Sequence, residues 1–333
     1  MKDELRRETE SLVRAWAHLE PGWLGSYLVS GVEDPRLNAQ SILTRHFLIA
    51  QRWGDAFSRL RREEQRFGAV MRWWLTLGVE DEDEETRESI GHALRTGRDN
   101  AEGMALPHFV RSAFGELPIE ADQIVVPNYL ECLCERGVGT EGVRDTFADL
   151  WRGALSEGSA AVLRVLEPAC GSANDYRFLE CYGLTRFLDY TGVDLSESNI
   201  ANARRLAADG KFEIGNVFGL EYEDQSFEAV YVHDLFEHLS ILGLEQAAAE
   251  ICRVARQAIA VSLFSMHEGQ KHLTRVVGDY HCNTLSLGRT RPLFERHGFS
   301  VQVIHLSTLL EWELGCGPYH NPNAYTLLLT RVG

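Results

Sequence analysis

Residues 162–174 read VLRVLEPACGSAN, an apolar run that ends in an acid and opens into a turn of small residues. Val162, Leu163, Val165 and Leu166 fit a buried strand, and Glu167 closes it. Ala169, Cys170, Gly171, Ser172 and Ala173 then let a ligand approach the backbone closely. Strand, acid and small-residue turn leading into a helix is how open α/β sheets cradle a nucleotide-type cofactor. Small-residue turns are common, so the residues at fixed distances downstream decide whether this one is such a site.

Downstream, short apolar runs alternate with helical patterns. The strand patterns cover 163–166, 190–193, 211–215, 229–232, 258–264, 300–305 and 324–330. The helical ones between them cover 176–182, 198–208, 242–256 and 289–297. This predicts an α/β fold: a doubly wound, mostly parallel seven-stranded sheet covered on both faces. The last two strands have no helix between them, which predicts one antiparallel edge strand.

Upstream, the periodicity is helical. Residues 2–20 place Leu5, Leu12, Val13, Ala15, Trp16 and Leu19 roughly on one face before Pro21-Gly22 stops the helix. Helices are also expected over 41–53, 55–77 and 88–94, with Asp55 as an N-cap, and 107–114, 127–134 and 141–155 complete the region. The acidic run EDEDEE at 80–85 reads as a solvated loop or helix start, or as a binding tail. The division expected is an all-α N-terminal cap, substrate or dimerisation domain over 1–155 and a Rossmann-like domain over 156–333.

Charge narrows the partners. With 33 basic and 49 acidic residues the net charge is −16, which argues against nucleic acid, whose binding rests on Lys and Arg neutralising phosphates. Cys132, Cys134, Cys170, Cys181, Cys252, Cys282 and Cys316 are odd in number, scattered and free of C-x-x-C spacing. That pattern predicts free thiols in a reducing compartment. The charged opening MKDELRRETE is no signal peptide, and no apolar run nears the ~18 residues of a membrane span. A cytoplasmic protein with a small-molecule substrate and no membrane is expected, with a homodimer as one available state.

Asp194 ends the second strand in TGVDLSESNIANAR, 23 residues past Gly171. An acid there can accept both ribose hydroxyls, or simply cap the helix that carries Asn199. Asn216 ends the third strand in FEIGNVF, where its carbonyl can accept from an exocyclic amine or hold a turn. Asp234, Glu237 and His238 follow the fourth strand as D-x-x-E-H; on a helical turn, i, i+3 and i+4 share a face. Two carboxylates and an imidazole so placed could hold Mg, Mn, Fe or Zn. His267, His272 and His281 follow the fifth strand, within a loop's reach of the same cleft. His238 and His233 are also general-base candidates without metal. Tyr176 and Tyr129 (beside Asn128) are aromatic faces for a cationic ligand or ordinary packing, and 320–323, HNPN, is a substrate loop or a turn.

Over 160–331, EPACGSA, GVDLSESNIANAR, GNVF and FEAVYVHDLFEHLS together resemble a class I S-adenosylmethionine (SAM) dependent methyltransferase. Ala169 and Ala173 replace two of that family's three turn glycines, and Asn216 replaces its Asp. The resemblance implies SAM as cofactor, held by Glu167, Ala169, Gly171, Asp194, Leu195, Asn199, Asn216, Val217 and His233. It puts Glu167 near the methionine amino group and Gly171 against the cofactor backbone. A weaker likeness, to the metal-assisted E-x-x-E-H O-methyltransferases, implies a divalent metal on Asp234, Glu237, His238 and His281 that lowers the acceptor's pKa. The activity implied is methyl transfer to a small acceptor on O, N or C, with His238, His233 and Tyr176 as catalytic candidates. Two other readings remain: attack on the aminocarboxypropyl arm of SAM, releasing methylthioadenosine, and a non-catalytic SAM-binding partner protein.

Overall fold

Strand-forming residues cluster where both sides of the chain are buried. The structure, a computed structural model, describes residues 1–16, 39–53, 162–181, 184–309 and 321–333. Its elements in chain order are α1 (Lys2–Trp16), α2 (Ala39–Trp53), β1 (Leu163–Pro168), α3 (Asn174–Cys181), β2 (Leu188–Asp194), α4 (Glu197–Leu206), β3 (Lys211–Ile214) and β4 (Phe227–His233). Then come α5 (Ile241–Val254), β5 (Ala255–Leu263), β6 (Met266–His267), β7 (Val276–Val277), β8 (Tyr280–His281), β9 (Leu285–Ser286), α6 (Leu287–Glu295), β10 (Phe299–His305) and β11 (Tyr325–Arg331). The helices expected over 55–77 and 88–94, the acidic run at 80–85, the segments at 107–114, 127–134 and 141–155, Asn128, Tyr129 and His320 lie outside the described residues.

Seven strands form one sheet in the order β10-β11-β5-β4-β1-β2-β3. Val165, Leu166, Val230, Val232, Ile259 and Val261 are fully buried, as central parallel strands covered on both faces require. Within this sheet β11 alone is reversed, antiparallel to both β5 and β10. The expectation of an antiparallel edge strand is therefore corrected: β11 lies one place in, and β10 is the edge. β11 runs opposite to both of its neighbours and fills the position between β5 and β10.

α5 covers the sheet with Leu244, Ala247, Ala248 and Ile251, an i, i+3, i+4, i+7 stripe that is completely buried. Ser240 caps it by accepting from the Gly243 amide at 2.9 Å. Between β5 and α6 the chain makes a small excursion, with β6 parallel to β9 and β7–β8 a hairpin. Asn283 ties it back, donating to Leu239 O at 2.7 Å and to Glu237 O at 2.9 Å through its backbone.

The N-terminal helices also reach the sheet. Leu5 of α1 joins the main core. Gln40 of α2 donates to the carbonyls of Leu263 and Tyr325 at 3.0 and 2.8 Å. β1 has β2 on one side and β4 on the other, so the strand order turns about β1 and opens a crevice at the carboxyl ends of β1 and β4.

Candidate functional site

The turn after β1 takes an unusual backbone. Ala169, Gly171 and Ala173 all adopt left-handed φ, at 58°, 55° and 66°. Glycine enters this region freely and alanine at a cost of roughly 1–2 kcal/mol. The glycine pattern read from the sequence therefore persists as geometry where two of its glycines do not. The turn is tied to β2: the Gly171 amide donates to Asp194 Oδ2 at 3.0 Å. Asp194 Oδ1 accepts from the Ser196 amide at 2.8 Å and the Asn199 side chain at 3.1 Å. Burial pushes the Asp194 pKa up, and these three donors oppose the shift.

A cavity of about 330 Å³ opens over this turn. Glu167, Ala169, Gly171, Asp194, Leu195, Asn199, Asn216, Val217 and His233, the expected cofactor residues, all line it. So do Asp234 and His238. Among its described lining residues there are four carboxyls and two imidazoles, and no lysine or arginine.

Glu167 lies at the cavity's floor and is almost fully buried. Leu166 pairs with Val230, so Glu167 and Tyr231 stand side by side on β1 and β4. Tyr231 donates to Glu167 Oε2 at 2.6 Å, and Tyr190 donates to the same oxygen. Gly192, opposite Glu167, makes room: a Cβ there would fall 2.8 Å from the Tyr190 hydroxyl and 2.9 Å from Cys170 Sγ. Burial first, and then the nearby Asp175 carboxylate, raise the Glu167 pKa well above the usual carboxylate range.

Asp175, which the sequence reading passed over, leads to the catalytic candidates. Its Oδ2 is 2.8 Å from His233 Nδ1, and Thr44 Oγ1 of α2 is 2.9 Å from His233 Nε2. Ser41, one turn before Thr44 on α2, donates to Asp175 Oδ1 at 3.4 Å. A carboxylate only accepts, so Nδ1 carries a proton toward Asp175, and in the neutral ring Nε2 is the nitrogen with a lone pair. His238 is wired differently. Its Nδ1 faces the His281 carbonyl at 3.0 Å and its Nε2 faces Asp234 Oδ1 at 3.2 Å, both acceptors. Burial lowers the His238 pKa, but the Asp234 hydrogen bond and charge and the His281 carbonyl outweigh it, raising it to about 9. At neutral pH His238 is a fixed imidazolium with no lone pair for a base.

The expected metal cluster does not assemble. Asp234 sits at φ 47°, ahead of a 3₁₀ turn over Phe236–His238, so its carboxyl and Glu237's do not share a helical face. Glu237 turns inward, where Oε1 accepts from the Phe264 and Ser265 amides at 2.6 and 3.3 Å. Burial and the Asp234 charge raise its pKa to about 7. His281 offers His238 its carbonyl rather than its ring. Among the described residues no group of three or more His, Cys, Asp and Glu is placed to hold a metal ion. The four residues thus do not fit one.

The remaining candidates lie elsewhere. The Tyr176 ring packs against Tyr190 and Phe212 at 4.7 and 5.5 Å and is not among the lining residues. The His267 and His272 rings accept from the amides of Gly269 and Ser286 within the excursion. Asn321 donates to Phe264 O at 3.0 Å and so forms a turn before β11. Cys170, Cys252 and Cys282 are free thiols. Among the described residues no helix is long and apolar enough to cross a membrane.

A family model described as "Methyltransferase domain" matches residues 165–258, which run from β1 into β5 and carry Gly171, Asp194, Asn216 and His233. This segment is therefore similar to a methyltransferase domain. No curated protein matches the chain. Among solved structures, the methyltransferase complexed with the Haloferax volcanii Trm112 methyltransferase activator is 18% identical, over 57% of this chain and 92% of its own, with a TM-score of 0.39. A SAM-dependent methyltransferase from Methanosarcina mazei is 12% identical over 54% and 97%, with a TM-score of 0.41. One from Mesorhizobium loti is 14% identical over 57% and 100%, with a TM-score of 0.39. The methyltransferase domain holds the nucleotide turn and both cavity imidazoles, while Ser41 and Thr44 reach it from α2, outside the matched segment.

Proposed function

We propose that the protein is a SAM-dependent methyltransferase that modifies a small acceptor on O, N or C, with residues 1–155 as its cap. The observation that carries this reading is the cavity's chemistry around Asp194. An acid stands where ribose hydroxyls need an acceptor, beside a turn that brings backbone close. Asp175 and Asp234 line the same cavity, so its wall is acidic. Such a site suits a phosphate-free, positively charged nucleoside better than a dinucleotide.

SAM supplies a methyl group on a sulfonium, which leaves S-adenosylhomocysteine behind once the acceptor takes the methyl. The protein's part is to orient the acceptor in line, exclude water and hold its proton. His233 Nε2 is the cavity imidazole with a lone pair, and Asp175 holds its tautomer and offsets the charge it gains. Thr44 spends that lone pair here, so the acceptor's hydroxyl or amine takes Thr44's place. No step passes through a metal.

The test is incubation of the protein with SAM and a metabolite extract, reading the nucleoside co-product by mass spectrometry. S-adenosylhomocysteine is the expected product. Methylthioadenosine would mean attack on the aminocarboxypropyl arm. Tight SAM binding with no consumption would mean a non-catalytic partner protein.

A further inference from the structure

The cavity is closed at its Asn216 end by α1, which lies outside the matched methyltransferase segment. Leu12 and Val13 line the cavity there. Thr9 Oγ1 accepts from Asn216 Nδ2 at 2.9 Å, while its own hydroxyl donates to Leu5 O at 2.9 Å. Asn216 Oδ1 accepts from the Phe218 amide at 2.9 Å, so Thr9 and Phe218 together fix how this side chain faces the cavity.

α1 is held in that place from one point above all. Glu8 Oε1 accepts from the Ser240 amide at 2.5 Å, and Oε2 accepts from the Ser240 hydroxyl. The same carboxylate rests on Gly243, where a Cβ would lie 2.7 Å from both of its oxygens. It therefore occupies the first turn of α5, whose unpaired N–H groups and dipole favour negative charge. Leu5, Glu8 and Leu12 recur at helical spacing, so one face of α1 carries the core contact, the carboxylate and the cavity wall. On its flank, Ser11 donates to Asp279 O at 2.6 Å and Arg14 pairs with Asp279 at 3.9 Å, between β7 and β8.

We propose that α1 is a built wall of the nucleoside end of the SAM site and that Glu8 is the positioning residue that latches it to α5. The proposal rests on the SAM reading of the cavity. It makes α1 docking and SAM binding mutually reinforcing, since a ligand that favours the docked state is itself favoured by it. Glu8 touches no ligand in this scheme and acts through the position of Leu12, Val13 and Thr9.

The test uses the full chain, with calorimetric titration of SAM and amide hydrogen exchange across residues 2–16. Glu8→Ala removes the latch, and Gly243→Ala displaces its carboxylate from α5 without altering α1. Both variants should speed exchange in α1 and weaken SAM binding about tenfold, the size of an ordinary coupling between two sites. In the wild type, saturating SAM should slow α1 exchange. The latch is overturned if α1 exchanges faster in either variant while SAM affinity stays at the wild-type value. It is equally overturned if SAM leaves α1 exchange unchanged in the wild type. Asp194→Ala separates the two claims: if that variant also binds SAM like the wild type, the SAM reading itself has failed.

Discussion

Ala169 and Ala173 hold left-handed backbone in the cofactor turn, and their different burial makes them a paired test. Replacing either with glycine relieves roughly 1–2 kcal/mol of strain and gives back about 0.4–1 kcal/mol through the freer unfolded chain. Ala173 is fully buried and also forfeits about 0.8 kcal/mol of methyl burial. Ala169→Gly should thus raise stability by about 0.5 kcal/mol, while Ala173→Gly should be close to neutral, as read from urea midpoints. Clear destabilisation by both would mean that the turn is not strained. His238 gives a pH signature. Its pKa rises from an ordinary 6.5 to about 9 on folding, so its stabilising share is complete below pH 6.5 and is lost as pH climbs through 9. Allowing for its solvent-facing Asp234 partner, that share is on the order of 2 kcal/mol. Melting temperature against pH should fall over this window in the wild type and fall less in His238→Gln. Parallel curves would contradict a folded-state imidazolium.

The elements bring together what sequence distance hides. β1, β2 and β4 were readable because strands covered on both faces leave unbroken apolar runs, and Asp194 could be found from its place at the end of one of them. Asp175 meets His233 across 58 residues and Thr44 meets it across 189, and no local pattern announces either contact. A second acid eight residues after Glu167, in the first turn of α3, was the one available hint. The D-x-x-E-H reading failed for a physical reason: i, i+3, i+4 spacing implies one face only on a regular helix, and Asp234 leaves helical backbone at φ 47°. The position of β11 depends on which strand edge is open, which no single-strand pattern encodes. These contacts separate the roles of the two imidazoles. Once an acceptor is in hand, His233→Ala should lower kcat by about 10²–10⁴-fold. His238→Gln should act mainly on stability. Equal kcat losses in both variants would contradict the assignment of the base to His233.

At the scale of the whole molecule, the crevice where strand order turns about β1 receives parts from two helices that precede the sheet in the chain. α1 meets it at Asn216, and α2 meets it at His233 and Asp175. Asp175, Asp194 and Asp234 give the cavity wall an acidic character that suits the cationic nucleoside proposed for it. Asp194 anchors that reading, because it joins the strained turn, β2 and α4 through three hydrogen bonds. Calorimetric titration of SAM into the wild type and Asp194→Ala tests it most directly. The account predicts saturable one-to-one binding that Asp194→Ala weakens more than about tenfold, the worth of roughly one charged hydrogen bond. Equal affinity in the two proteins, or no binding to the wild type, would contradict it.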